Sequence, residues 1–214
     1  MNQIKKLTHL SNLSYFNTST LRQIYPELSE NTLYSNIKRW IKRGELVQLK
    51  KGLYVTKEYI SNTSEIKNYK EFIANSLKYP SYLSLQYVLQ KHSILSEGVY
   101  AYTSITLKSK NVYENDLGKF IYRGISNKLF LGYTIEDKGG YSIKEATKAK
   151  ALFDYLYLKL YRSKNITKSE LLSLRLNIEQ FNQSDLQEFD KYCILTEQKK
   201  FTKLKSLIEK TYDI

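Results

Sequence analysis

Between positions 31 and 42 the chain places Asn31, Thr32, Tyr34, Ser35, Lys38, Arg39 and Lys42, a run of amide, hydroxyl, ammonium and guanidinium donors. Amides and hydroxyls can hydrogen-bond base edges, and cations can neutralise phosphates. Lys50 and Lys51 follow just ahead of Gly52 and offer two further phosphate partners. The chemistry these types suggest is recognition of double-stranded DNA. Signs of catalysis are sparse by comparison. His9 and His92 are the only histidines, and neither has a second His, Cys or carboxylate at ligand spacing, so no metal and no cofactor is expected. Phosphate-loop, dinucleotide and nucleophile-elbow signatures do not occur. Glu136 and Asp137 sit at a strand end. Asp154 is the one acid inside an apolar helical stretch and reads as a buried hydrogen-bonding group. The chain is therefore read as non-enzymatic.

The donors need a helix to present them, and the flanking residues supply one. Leu33, Ile37, Trp40 and Ile41 recur at i, i+4, i+7 and i+8, an apolar stripe that leaves the polar set on the other sides. Ser29 suits the N-cap, Glu30 the positive end of the helix dipole, Lys42 and Arg43 its negative end, and Gly44 the left-handed C′ position. Ahead of it, residues 18–25 suggest a short helix capped from Thr18, Ser19 and Thr20, with Leu21 and Ile24 inward. Pro26 disfavours helical geometry at Tyr25 and opens a turn. Ile4, Leu7 and Leu10 suggest a first helix, and residues 45–49 and 53–56 alternate like strands around Lys50-Lys51-Gly52. Three helices and a hairpin over residues 1–60 make a winged helix-turn-helix, whose second motif helix enters the major groove while wing lysines meet the backbone. Tyr34 and Tyr54 are the aromatic candidates for the same surface. The alternative is a non-enzymatic interaction module whose winged helix binds protein or RNA.

Charge points the same way. Residues 1–60 carry ten Lys and Arg against four Glu, a net +6 out of +13 for all 214 residues. No apolar run approaches a membrane span and no signal peptide is evident, so a cytoplasmic location is expected. Cys193 stands among Phe189, Tyr192, Ile194 and Leu195 and reads as a small buried hydrophobe.

A second domain is expected over residues 61–214, after the polar stretch at 56–64. Tyr69, Phe72, Ile73 and Leu77 mark a helix that Pro80 ends, and Ser84 is placed to cap another through Leu85, Val88 and Leu89 to His92. The period then changes to that of strands at 99–107, 118–125 and 129–136, with Gly139-Gly140 turning into 141–143. From Ala146 the chain is helical again, with Leu152, Phe153, Leu156 and Leu160 inward and further helices near 168–176, 184–194 and 197–212. The last is basic and amphipathic, with Phe201, Leu204 and Ile208 on one side and Lys199, Lys200, Lys203, Lys205 and Lys210 mostly on the others. The expected class is α+β: an N-terminal winged helix, then a larger mixed domain with a mostly antiparallel sheet and C-terminal helices.

Three segments resemble one family in order. Residues 51–55 (K-G-L-Y-V) are similar to the last wing strand of the AbiEi antitoxins of bacterial type IV toxin-antitoxin and phage-resistance operons. Residues 79–95 (Y-P-S-Y-L-S-L-Q-Y-V-L-Q-K-H-S-I-L) resemble that family's P-x-Y-(I/L)-S-L-x-x-A-L-x-x-H-G-L helix, with a T-S-(V/I)-T strand matched within 102–107. Residues 146–157 (A-T-K-A-K-A-L-F-D-Y-L-Y) resemble A-T-P-E-K-A-L-(L/F)-D-x-(L/I)-Y. Val88, Ser93 and Lys148-Ala149 depart from the pattern, where the family has alanine, glycine and Pro-Glu. The resemblance implies a repressor that binds repeats in its own operon promoter, with a C-terminal domain that counteracts a nucleotidyltransferase-like toxin encoded beside it.

Overall fold

The computed structural model of the chain describes residues 7–213. Contacts divide the chain into two units, Met1–Lys70 with Tyr113–Lys119, and Glu71–Val112 with Phe120–Ile214.

In the first unit Asn17 does two jobs. It ends a short strand, β1 (Phe16–Asn17), and its side chain accepts from the Thr20 amide at 2.9 Å to start α1 (Thr18–Ile24). The cap is thus one residue earlier than the Thr18–Thr20 cluster suggested, because an amide oxygen at the end of an extended residue reaches the third amide ahead. Next comes α2 (Glu30–Lys42), begun by the Ser29 hydroxyl accepting from the Thr32 amide at 3.3 Å. Gly44, at φ +72°, closes it, with the Glu45 amide donating to the Trp40 carbonyl at 2.9 Å. The chain then forms β2 (Leu46–Lys50) and β3 (Leu53–Thr56), antiparallel partners in a three-stranded sheet ordered β1-β3-β2. One buried cluster joins these elements: Leu10, Phe16, Leu21, Leu33, Ile37 and Trp40 are at most 3% exposed. Burying each such side chain contributes roughly 1.5–3 kcal/mol. Tyr25 stacks at a tilt on Trp40, centroids 5.3 Å apart, and burial, then Glu27 and Glu45, push its phenol up to about 12. Leu7 and Leu10 are buried as the first-helix pattern requires; Leu7 is helical and a 3-10 turn (Thr8–Leu10) follows it, while Ile4 lies outside the described residues. The polar stretch after β3 is itself a helix, α3 (Lys57–Asn62), capped by Thr56.

The division between units falls within α4 (Ile66–Leu77). Six strands, most of whose residues belong to the second unit, form one sheet: β4 (Ser81–Leu83), β5 (Ala101–Thr106), β6 (Asn111–Asn115), β7 (Gly118–Gly124), β8 (Tyr133–Asp137) and β9 (Ser142–Ala146). Their order is β6-β7-β5-β4-β9-β8; β4 runs antiparallel to β5 but parallel to β9, so the sheet is mixed. The Asn75 side chain clamps the Lys144 backbone, accepting from its amide at 2.6 Å and donating to its carbonyl at 3.3 Å, which ties α4 to β9. The remaining helices are α5 (Gln86–Lys91), α6 (Lys148–Leu160), α7 (Lys168–Ser173), α8 (Gln183–Leu195), α9 (Lys199–Thr202) and α10 (Leu204–Tyr212). Thr147 caps α6, while capping boxes at Thr167/Glu170 and Asn182/Asp185 start α7 and α8.

Several expectations are corrected here. Ser84 does not cap a helix: α5 starts without a side-chain cap, and the Ser84 hydroxyl donates to Asp154 at 2.8 Å instead. Residues 81–83, within the segment that resembles the family's helix, are a fully buried strand. The strand expected from 129 begins only at Tyr133, because Gly132 at φ +76° breaks the extension and Leu129 is buried in a 3-10 turn. Leu152, Phe153, Leu156 and Leu160 of α6 are buried as expected, but burial is wider than that stripe and runs unbroken from Ala149 through Leu156, against α8, α5 and β9. The tail is two helices, with Lys203 between them in neither.

Candidate functional site

In the first unit Leu33, Ile37 and Trp40 anchor α2 to the core, and the rest of the helix faces outward as a consequence. Asn31, Thr32, Tyr34, Ser35, Lys38, Arg39 and Lys42 are all exposed, Tyr34 at 44%. They are not equally unoccupied. The Thr32 hydroxyl lies 2.8 Å from that of Ser29, within the cap, and the Arg39 guanidinium donates to Asn36 Oδ1. Asn31, Tyr34, Ser35, Lys38 and Lys42 make no side-chain hydrogen bond or ion pair among the described residues. Glu30, in the first turn, pairs with Arg22, an exposed contact worth little to stability but one that removes a bare carboxylate from this end of the helix.

The β2–β3 turn carries the remaining two cations. Lys51 is exposed beside Gly52, whose φ of +80° makes the turn and whose carbonyl accepts from the Thr18 amide at 3.2 Å. Lys50 is half-buried, its ammonium 5.9 Å from the Tyr113 ring centroid. Tyr54, expected at the surface, is 4% exposed and packs on Phe16. In β3 the paired neighbours are Phe16 and Gln48, and the side chain at 54 is turned to the core face. Asn36 was missed: it is 2% exposed and lies at i+3 from Leu33 on the inward stripe, a position an apolar-only pattern passes over.

The second unit holds two polar clusters. Lys150 and Asp154, both wholly buried, meet at 2.6 Å; Lys150 also donates to the Leu129 carbonyl at 2.8 Å, and Asp154 accepts from Ser84 at 2.8 Å and Tyr82 at 3.1 Å. Burial pushes the Lys150 pKa down and the Asp154 pKa up, while the pair's attraction and hydrogen bonds oppose both shifts. Asp154 is thus buried and hydrogen-bonded as its sequence context suggested. Its partner at i−4 was legible but went unread. Around Glu71, 1% exposed, Tyr87 donates at 2.6 Å and Lys91 at 3.2 Å, and Lys91 bridges to Glu145 at 2.6 Å. Among the described residues no three His, Cys, Asp or Glu side chains gather so as to hold a metal. Cys193 is buried, and desolvation raises its thiol pKa. Of the tail lysines, Lys200 is committed to the end of α6, donating to the carbonyls of Leu160 at 3.2 Å, Tyr161 and Ser163.

No helix among the described residues is long and apolar enough to cross a membrane. The chain matches no family model and no curated protein sequence.

Proposed function

We propose that the chain is a cytoplasmic transcriptional autorepressor and antitoxin of the AbiEi type. In this reading residues 1–60 are a winged helix-turn-helix on promoter repeats, and residues 61–214 counteract a cognate nucleotidyltransferase-like toxin. The observation that carries the DNA half is the outward face of α2, where Asn31, Tyr34, Ser35, Lys38 and Lys42 are exposed and unpartnered among the described residues while the opposite face is locked into the core. A rigid helix that spends its polar groups on nothing internal is suited to a groove. Asn31 and Ser35, near the N-terminal end, reach base edges; Lys38, Lys42 and Lys51 meet phosphates. Arg39 keeps donors beyond the one it gives Asn36, and Thr32 contributes its hydroxyl if it turns from Ser29. The antitoxin half rests on the resemblance across 79–95, 102–107 and 146–157.

A mobility-shift titration on the duplex upstream of the chain's own gene, beside a scrambled duplex of equal length, tests the first half. Selective retardation of the promoter fragment is expected. Equal retardation of both, or none, would overturn it in favour of a protein or RNA partner for the same face. Co-expression with a neighbouring nucleotidyltransferase gene tests the second half, with restored growth as the expected result.

A further inference from the structure

The second unit contains a cavity of about 280 Å³ that the DNA-binding reading leaves unused. Arg123 of β7 and Lys159 of the last turn of α6 line it, both exposed, and neither makes an ion pair or side-chain hydrogen bond among the described residues. Two cations from separate elements, left without carboxylates, suit a dianionic phosphate; the guanidinium fork adds geometric preference. The rest of the lining is of another kind. Leu85, Ile121 and Leu158 give an apolar wall. Tyr155 is only 8% exposed, yet its hydroxyl has no partner among the described residues. Burial first, then the Glu97 carboxylate, raise its pKa, so it remains a neutral donor. The Gln86 amide, donor and acceptor at once, is also unpartnered.

The wall is held rather than merely present. Leu85 sits at φ +60°, a conformation L residues rarely adopt, and such geometry persists only where its surroundings enforce it. Thr103 enforces it from one side, donating to the Ser84 carbonyl at 2.6 Å and accepting from the Tyr87 amide at 3.0 Å. The buried Asp154 enforces it from the other through Ser84. The same helix that carries Asp154 inward turns Tyr155, Leu158 and Lys159 to the cavity.

We propose that this cavity binds a phosphate monoester carried on an aromatic ring system, of about the size of a nucleoside monophosphate. Its phosphate lies between Arg123 and Lys159, its ring against the apolar wall, and its polar edge within reach of Gln86 and Tyr155. Every lining residue belongs to the second unit, so this binding stands or falls independently of the DNA-binding reading.

The test is calorimetric titration of the full chain with each of the common ribonucleoside monophosphates, and separately with the matching nucleosides and with inorganic phosphate. At least one monophosphate is expected to saturate in the micromolar range, with its nucleoside and inorganic phosphate at least about tenfold weaker. Arg123→Gln and Lys159→Gln should each weaken binding roughly tenfold, and Tyr155→Phe less. Both cations are exposed, so ligand-free melting temperatures should match the parent and show that the variants fold. No saturation by any monophosphate at millimolar concentration, inorganic phosphate binding as tightly as the ester, or unchanged affinity in the Arg123→Gln/Lys159→Gln double variant would each overturn the proposal.

Discussion

Asp154 and Lys150 are the pair whose removal should cost the most. With both wholly buried, Asp154→Leu leaves an ammonium without its counter-charge, and such half-removals cost about 3–5 kcal/mol. Adding Lys150→Met should recover part of that loss, since no bare charge remains, although Tyr82, Ser84 and the Leu129 carbonyl lose their partner. Chemical denaturation of the two variants decides it; a double variant no better than Asp154→Leu would show that the two do not act as a unit. His92 supports a pH prediction. Partial burial, foremost, and the Lys148 and Lys91 charges lower its pKa below 6.5, outweighing Glu145 and Asp185. Between that lowered value and 6.5 the unfolded chain binds more protons, so stability rises with pH there and falls on acidification. His92→Gln should flatten this part of the plot of denaturation midpoint against pH. Equal slopes for parent and variant would contradict it. Residue types alone marked Asp154 as buried and Ser29 as a cap, because an acid in an apolar run and a serine before a helix each have few outlets. They misplaced Ser84 and Tyr54, whose roles depend on partners at a distance, Asp154 and the facing core.

Elements were legible where local chemistry fixes both ends. The helix α2 was readable because Ser29 and Gly44 terminate it and its stripe has one period throughout. By contrast β4, three residues long, carries no period at all, and its strand character comes from β5 and β9 on either side. The two glycines that shape their elements offer a comparison. Gly44 and Gly132 have nearly equal φ, +72° and +76°, but a Cβ at Gly44 meets nothing within 4 Å, whereas one at Gly132 collides with the Tyr192 hydroxyl. Gly44→Ala should therefore cost only the backbone penalty of about 1–2 kcal/mol. Gly132→Ala should cost clearly more, because Tyr192 is also held by Glu188 at 2.6 Å and packed on Phe153. Thermal melts of the two variants rank them. A smaller loss at Gly132 would mean that Tyr192 yields freely.

For the molecule as a whole, a net charge of +13 makes any DNA affinity strongly dependent on salt. Lys51→Ala should weaken binding to promoter and scrambled duplex alike and reduce the slope of log affinity against log salt by about 1. Asn31→Ala should instead erode the preference for the promoter, at a base pair worth roughly 1–3 kcal/mol. An unchanged salt slope for Lys51→Ala would remove the turn from the interface. The sequence by itself determined the α+β class, the extent of α2, the outward polar set and the excess of positive charge near the N-terminus. These follow from periodicity and capping, which act within a few residues along the chain. Only the tertiary structure decided that the large sheet is mixed, that α6 is buried nearly all round, that Ser84 answers Asp154, and that Arg123 and Lys159 share one cavity. Each of these joins residues whose separation in sequence, or whose burial, is fixed by long-range packing, and a short-period pattern carries no record of which distant side chain closes the contact.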